Sequence, residues 1–418
     1  MAGALSAMET AIWGIVTFSI LVVLHEMGHF LAARAFGVKV HEFMIGLPGP
    51  ALRVKTKNMS WGVTAIPLGG YVRIAGMEPG PEDDLIGAAL VAVRDQGAGD
   101  PHALARVLGV DEDRAASLLS TLEDWKAVAR DASGRLSLSL EDDPAGLGAD
   151  DLASRARRVT YRGQSTSRRI AILAMGVVTN LTVAILTFTI VLSVWGYYQL
   201  TTRIDSVGPD TPAAQSDIRV GDVIVAVDGS TVGAWDEFQM TLARTEPGQV
   251  VVLTLERDGA PFDLSVELAD RDGHGYLGVG PTAVAVRPSV VESLGESMRL
   301  TGLVLRTILD LFDPARFSST VKSFTGVVGV SVMAAEAAEA GPLSYASLIA
   351  MLSLSLGLMN VLPLPPLDGG KIVLEIIERI AGRPISRAVS LGVSAVGAVL
   401  LFSLIGYIMY IDIARLAG

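Results

Sequence analysis

His25-Glu26-Met27-Gly28-His29 brings two imidazoles and a carboxylate within one helical turn. Side chains four apart on a helix stand one above the other, so His25 and His29 can share a metal ion, with Glu26 beside them as a general base. The run Ala11 to Leu24 that leads into them is uncharged. His and Glu at the end of a lipid-embedded run cost several kcal/mol unless they are paired or metal-bound. A catalytic zinc takes three protein ligands and leaves a fourth position for water. The chain has no cysteine, so the third ligand must be His, Asp or Glu. His41 is near in sequence, while His102 and His274 fall in segments assigned away from the membrane core. Asp368 is the better candidate. It closes an uncharged run at Asn360-Val361-Leu362-Pro363-Leu364-Pro365-Pro366-Leu367-Asp368-Gly369-Gly370, whose three prolines free backbone groups that a membrane tolerates only beside protein or a water-filled cavity. Taken alone, Asp368 reads as the cap of a helix starting near Lys371. Its position at the same membrane face as His29 favours the ligand.

These residues need a membrane scaffold, and the composition supplies one. Of 418 residues half are hydrophobic and 18% charged, against about 25% charged in soluble domains; the mean hydropathy is +0.47. A net charge of -11 disfavours nucleic acid as a partner of the whole chain. Four runs are long enough to span roughly 30 Å of hydrocarbon: 8–36, 168–202, 340–367 and 388–411. Arg and Lys cluster after the first, before the second and after the third. By the positive-inside rule these flanks are cytoplasmic and both termini lie outside. The expected fold class is therefore a polytopic α-helical membrane protein of four transmembrane helices, with a β-rich domain and a small insertion.

Residues 37–77 read as a membrane-associated β-hairpin region, with strands at Arg53 to Lys55, Gly62 to Ile66 and Tyr71 to Ile74. Residues 78–160 read as an acidic cytoplasmic insertion whose order of helix, helix, turn, helix and two strands is winged-helix-like. Residues 78–150 hold 6 Lys or Arg against 16 Asp or Glu, which disfavours DNA and leaves a protein partner or a spacer role. Residues 203–286 resemble a PDZ domain, with Gly208 to Ala214, Val220 to Gly229 and a helix at Trp235 to Ala243; such a groove accepts a peptide C-terminus as an added strand. Residues 287–339 read as an amphipathic or re-entrant connector.

Together the His-Glu-x-x-His in the first span, Pro67-Leu68-Gly69-Gly70-Tyr71-Val72, Gly176 and Asn180 in the second span, the PDZ stretch and Asn360 to Gly370 resemble the site-2 protease family of intramembrane zinc metalloproteases. The match is to its bacterial branch with an extracytoplasmic PDZ domain. Val177 and Val327 stand where that family usually has Pro, and the acidic insertion is atypical. The resemblance implies Zn2+ on His25, His29 and Asp368, with Glu26 as catalytic base. Asn360, Gly69, Gly70, Tyr71 and Asn180 are then candidates for holding substrate, Asn180 serving equally as a helix-to-helix hydrogen bonder. It further implies single-pass membrane protein substrates, such as anti-sigma factors or signal-peptide remnants, in a bacterial plasma membrane, with 37–168 cytoplasmic. A catalytically inactive PDZ scaffold and a metal transporter are the competing readings. The intact Glu26 argues against a scaffold, which needs no base.

Overall fold

The computed structural model describes residues 7–417 apart from 57–58, 68, 78–81, 132–133, 141–145 and 272. Lys57 of the basic flank, Leu68 of the Pro67 to Val72 motif and the first residues of the insertion thus lie outside the described residues. Two compact units emerge: 1–188 with 294–418, and 189–293.

In the first unit, helix α1 (Ala7–Ala35) carries a buried stripe of Gly14, Thr17, Leu21, His25, Gly28 and Ala32. The three- and four-residue spacing of that stripe keeps one face toward the protein, and it puts His25 on that face. A four-stranded sheet follows: β1 (Val40–Ile45), β2 (Ala51–Lys55), β3 (Ser60–Thr64) and β4 (Gly70–Ile74), in the order β2-β3-β1-β4. The expected hairpin is the antiparallel β2–β3 pair. The strand not expected is β1, which runs parallel to β3 and antiparallel to β4. Its sequence, Val-His-Glu-Phe-Met-Ile, does not alternate cleanly, since Phe43 and Met44 are both buried at the centre of the sheet. Val40, Phe43 and Ile74 share a core with Ala32 and Ala33 of α1 and with Ile172 and Leu173.

The insertion comprises α2 (Ile86–Gln96), α3 (Pro101–Leu108), α4 (Glu112–Asp124), the antiparallel pair β5 (Val128–Arg130) and β6 (Leu136–Leu138), and α5 (Ala149–Arg158). Its boundaries are set by local chemistry. Asp100 and Asp111 accept hydrogen bonds from Ala103 and Arg114 amides at the starts of α3 and α4, and Pro101 occupies the first turn of α3. Leu90, Leu104, Leu118, Leu122 and Leu152 give the insertion a core of its own.

Helix α6 (Thr166–Trp195) leads into the second unit. There β7 (Tyr197–Val207), α7 (Pro212–Gln215), β8 (Val223–Val227), β9 (Ser230–Thr231), α8 (Trp235–Leu242), β10 (Val250–Arg257), β11 (Ala260–Glu267), β12 (Ala269–Arg271), β13 (His274–Tyr276) and β14 (Val279–Val286) form a sheet of order β11-β10-β8-β7-β14, with β9 on β8 and a separate β12–β13 pair. Val251, Leu253 and Leu255 of β10 point into the core with Ile224 and Phe238, as the period-two pattern requires.

The chain returns to the first unit through α9 (Val290–Leu309), α10 (Phe317–Ser323), α11 (Val327–Ala340), α12 (Pro342–Val361), α13 (Asp368–Ala381) and α14 (Arg387–Ala417). Among the described residues, five helices are long and apolar enough to cross a membrane: Ala7–Ala35, Thr166–Trp195, Phe317–Ala340, Pro342–Val361 and Arg387–Ala414. That is one more than the four expected. The addition joins α10 and α11 within the stretch read as a connector. Lys322, Glu336, Glu339 and the break at 324–326 interrupt its apolar run. Val327 is the first residue of α11, so its backbone is helical without the family's Pro. Val177 sits inside an unbroken α6.

Candidate active site

Two elements far apart in sequence deliver one cluster of three side chains. His25 and His29 project from α1, and Asp368 opens α13 directly after the proline-rich turn. The Oδ2 atom of Asp368 lies 2.9 Å from His25 Nε2 and 3.0 Å from His29 Nε2, and the two Nε2 atoms are 3.2 Å apart. All three side chains are buried. Asp368 can reach this point because Gly369 and Gly370 follow it: a Cβ at either would run into the backbone of Val361 or of Leu364 and Pro365.

The donor chemistry fits a cation. His29 Nδ1 is 2.8 Å from the Ile172 carbonyl, so that nitrogen carries the proton and Nε2 presents a lone pair. His25 Nδ1 is 3.4 Å from the amide nitrogen of Asn180, whose Oδ1 is buried and unpartnered. Turning the amide over satisfies that oxygen with a proton from His25 Nδ1, leaving Nε2 of His25 unprotonated as well. Two lone pairs and a carboxylate oxygen about 3 Å apart then repel one another unless a positive ion sits among them. The set of two His and one Asp leaves a position open, as catalytic zinc requires. Gly176 gives the rings their room, because a Cβ there would stand 2.5 Å from His29 Nε2.

Glu26 is held separately. Its Oε2 accepts a hydrogen bond from the Val72 amide of β4 at 3.1 Å. Gly70 and Tyr71 lie on the same edge strand, and Gly69 just before it approaches Val22 of α1. The Tyr71 hydroxyl is directed at Glu42 on β1, 3.4 Å away. Asn360 donates to the Leu356 carbonyl of its own helix at 2.9 Å. Asn180 is fully buried against His25. The structure therefore brings His25, Glu26, His29, Asp368 and Asn180 together, with β4 alongside. The other histidines do not join them. His41 bonds to Asp124, His102 to Glu112, and His274 belongs to the second unit. Reading the sequence missed Ile172 as a partner of His29. No side-chain signal could have found it, because the contact is a backbone carbonyl.

The model of peptidase family M50 matches residues 13–404. The chain belongs to peptidase family M50. Its curated relatives include the zinc metalloprotease RasP of Oceanobacillus iheyensis, 27% identical over 98% of this chain and all of that one. The probable protease eep of Enterococcus faecalis is 27% identical over 91% of this chain and 92% of its own length. Among solved structures, a PDZ domain of the SdrC-like protein from Listeria innocua is 24% identical, covering 19% of this chain and 92% of that domain at a TM-score of 0.18. The protein is a zinc metalloprotease of the site-2 type, and a multi-pass bacterial membrane protein.

Proposed function

We propose that His25, His29 and Asp368 hold the zinc and that Glu26 is the general base, in an enzyme that cuts transmembrane segments of single-pass membrane proteins. Bound there, zinc supplies Lewis acidity, polarising the scissile carbonyl and acidifying water. The protein's own groups do the rest. Glu26 takes the proton of the attacking water and passes it to the leaving amine. The Val72 amide keeps the carboxylate aimed, and Asn180 and the Ile172 carbonyl fix the two imidazole tautomers.

A helical substrate hides its amides in internal hydrogen bonds and must be unwound to be cut. Edge strand β4, bonded to β1 on one side only, offers backbone groups for an added strand next to Glu26. Asn360 and Tyr71 are the polar side chains we assign to substrate contact. In the second unit a cleft of about 360 Å³ between α8 and the Gly275 to Val279 stretch is lined by Trp235, Phe238 and Leu242, with Arg271 and His274 among its polar groups. That combination suits a peptide with an apolar terminal side chain and a free carboxylate. The unit is placed outside the cell and the sheet and insertion inside, on the positive-inside argument. Anti-sigma factors and signal-peptide remnants are the substrate classes that fit.

The observation that carries this reading is the convergence of three buried donors from α1 and α13 on one point, one residue from a tethered carboxylate. It is tested by expressing Glu26→Gln in the native membrane and identifying single-pass proteins that accumulate uncut. No accumulation relative to the wild type would count against it.

A further inference from the structure

The acidic insertion is not a detached appendage. We propose that Asp124, at its α4–β5 junction, is a positioning residue for Glu26, acting through the sheet that tethers this base. The proposal rests on the reading of Glu26 as the general base.

The contact is built from both sides. In the β1–β4 ladder Val40 pairs with Ile74 and Glu42 with Arg73, so His41 is an extra residue in a β-bulge. Bulges re-aim side chains next to functional sites. Here the imidazole is turned toward the insertion, where Nε2 lies 2.6 Å from the Asp124 carbonyl and 3.2 Å from its Oδ1. The other carboxylate oxygen accepts from the Gly76 amide at 2.8 Å, just beyond the end of β4, and Arg73 of β4 approaches to 3.5 Å. Lys126, held at a φ of 53°, donates its Nζ to the Val40 carbonyl at 3.0 Å. The exit from the insertion closes the same end, with the Tyr161 amide on the Ala75 carbonyl and the Lys39 amide on the Val159 carbonyl, each at 2.8 Å.

Two features separate this from ordinary domain packing. The carboxylate of Asp124 is bonded to the sheet (His41, Gly76 and Arg73), while the insertion has its own core. An acid in the last turn of a helix also opposes the helix dipole. Asp124 is therefore poorly placed for α4 and well placed for the dock. What the dock fixes is β4, an edge strand that pairs, among the described strands, with β1 alone, and weakly paired segments of this kind open readily. The amide that β4 turns away from β1, at Val72, is the one that holds Glu26. The insertion thus secures one end of the strand whose middle aims the base.

The test uses the full-length enzyme in proteoliposomes with a single-pass model substrate, comparing wild type, Asp124→Ala, Asp124→Asn, Glu26→Gln and the exposed insertion control Asp113→Asn. Asp124→Ala should keep stoichiometric zinc and a similar KM while kcat drops about tenfold, the scale of one misplaced charge-assisted hydrogen bond. Asp124→Asn keeps an acceptor for the Gly76 amide and should recover part of that loss. Hydrogen exchange at Val72 should quicken in Asp124→Ala. An unchanged kcat in Asp124→Ala, or a drop that tracks zinc loss, would overturn the positioning role. Activity in Glu26→Gln would instead remove the reading of the base on which the proposal rests.

Discussion

Glu26 and Val72 are joined by a hydrogen bond of 3.1 Å between a side-chain oxygen on the first helix and a backbone amide on a sheet edge. The carboxylate read as the base is therefore anchored outside its own helix, by the strand we propose as the substrate's partner. A substrate that pairs with β4 must do so beside this bond, so strand addition and the aim of the base are mechanically linked.

Removing that donor should slow chemistry without touching the metal. Val72→Pro deletes the amide hydrogen on the face of an edge strand that makes no ladder bond, where proline is tolerated. We expect zinc content to stay at the wild-type value and kcat to fall about 10- to 100-fold. Metal analysis alongside single-turnover cleavage checks it, and a wild-type rate would show that the bond is incidental.

Asn180 is expected to tune metal affinity. Asn180→Leu keeps the branched outline of the side chain and removes the partner of His25 Nδ1. Losing a ligand's hydrogen-bonding partner weakens metal binding about 10- to 100-fold. Competition with a zinc chelator reads this directly. An unaltered dissociation constant would mean that His25 needs no support.

Gly176→Ala tests the space around the rings. Its new methyl would sit 2.5 Å from His29 Nε2 and 2.8 Å from His25 Cε1, closer than any relaxed contact, so an imidazole must move. The helix itself gains from the change, since Ala is the better helix former. Zinc stoichiometry should fall while thermal stability of the metal-free protein holds or rises. Full zinc occupancy would show that the rings can adapt.

The Asp124 dock should be sensitive to acid. Burial alone would raise the Asp124 carboxyl. The hydrogen bonds from His41 and the Gly76 amide, with the charge of Arg73, outweigh it and hold the group below its ordinary value. A carboxyl depressed on folding stabilises the dock fully above the unfolded value of about 4 and loses that contribution as pH falls through the folded value. Exchange protection at residues 74–76 should not fall between neutrality and about pH 4 and should fall below it. Asp124→Asn should remove the acid limb, and the same limb persisting in that variant would assign it to another group.

Much of the candidate cluster's membership was legible because membranes make polar residues conspicuous. His25, Glu26, His29 and Asp368 each ended an otherwise uncharged run, and the meeting of the first three with Asp368 followed from their shared membrane face. The docking of the insertion was not legible. Asp124 is one of sixteen acids between 78 and 150, and nothing local marks it as the one that reaches the sheet. His41 looked like a spare metal ligand, because a bulge is a property of strand pairing and leaves no trace in a single strand. β1 escaped notice for a related reason: a central strand buried on both faces has no alternation to display. The helical stretch from 317 to 340 was hidden by its own interruption.

Asp368 meets His25 across 343 residues of chain. During synthesis, the first helix therefore enters the bilayer carrying two imidazoles and a carboxylate but lacking the aspartate. The donor set is completed only when the proline-rich turn and the start of α13 have been translated and folded back against it. With Asp368 as the third ligand we propose, a nascent or truncated chain lacking that turn is unarmed, and a hydrolase made among the helices it could cut acquires its activity near the end of its own biogenesis.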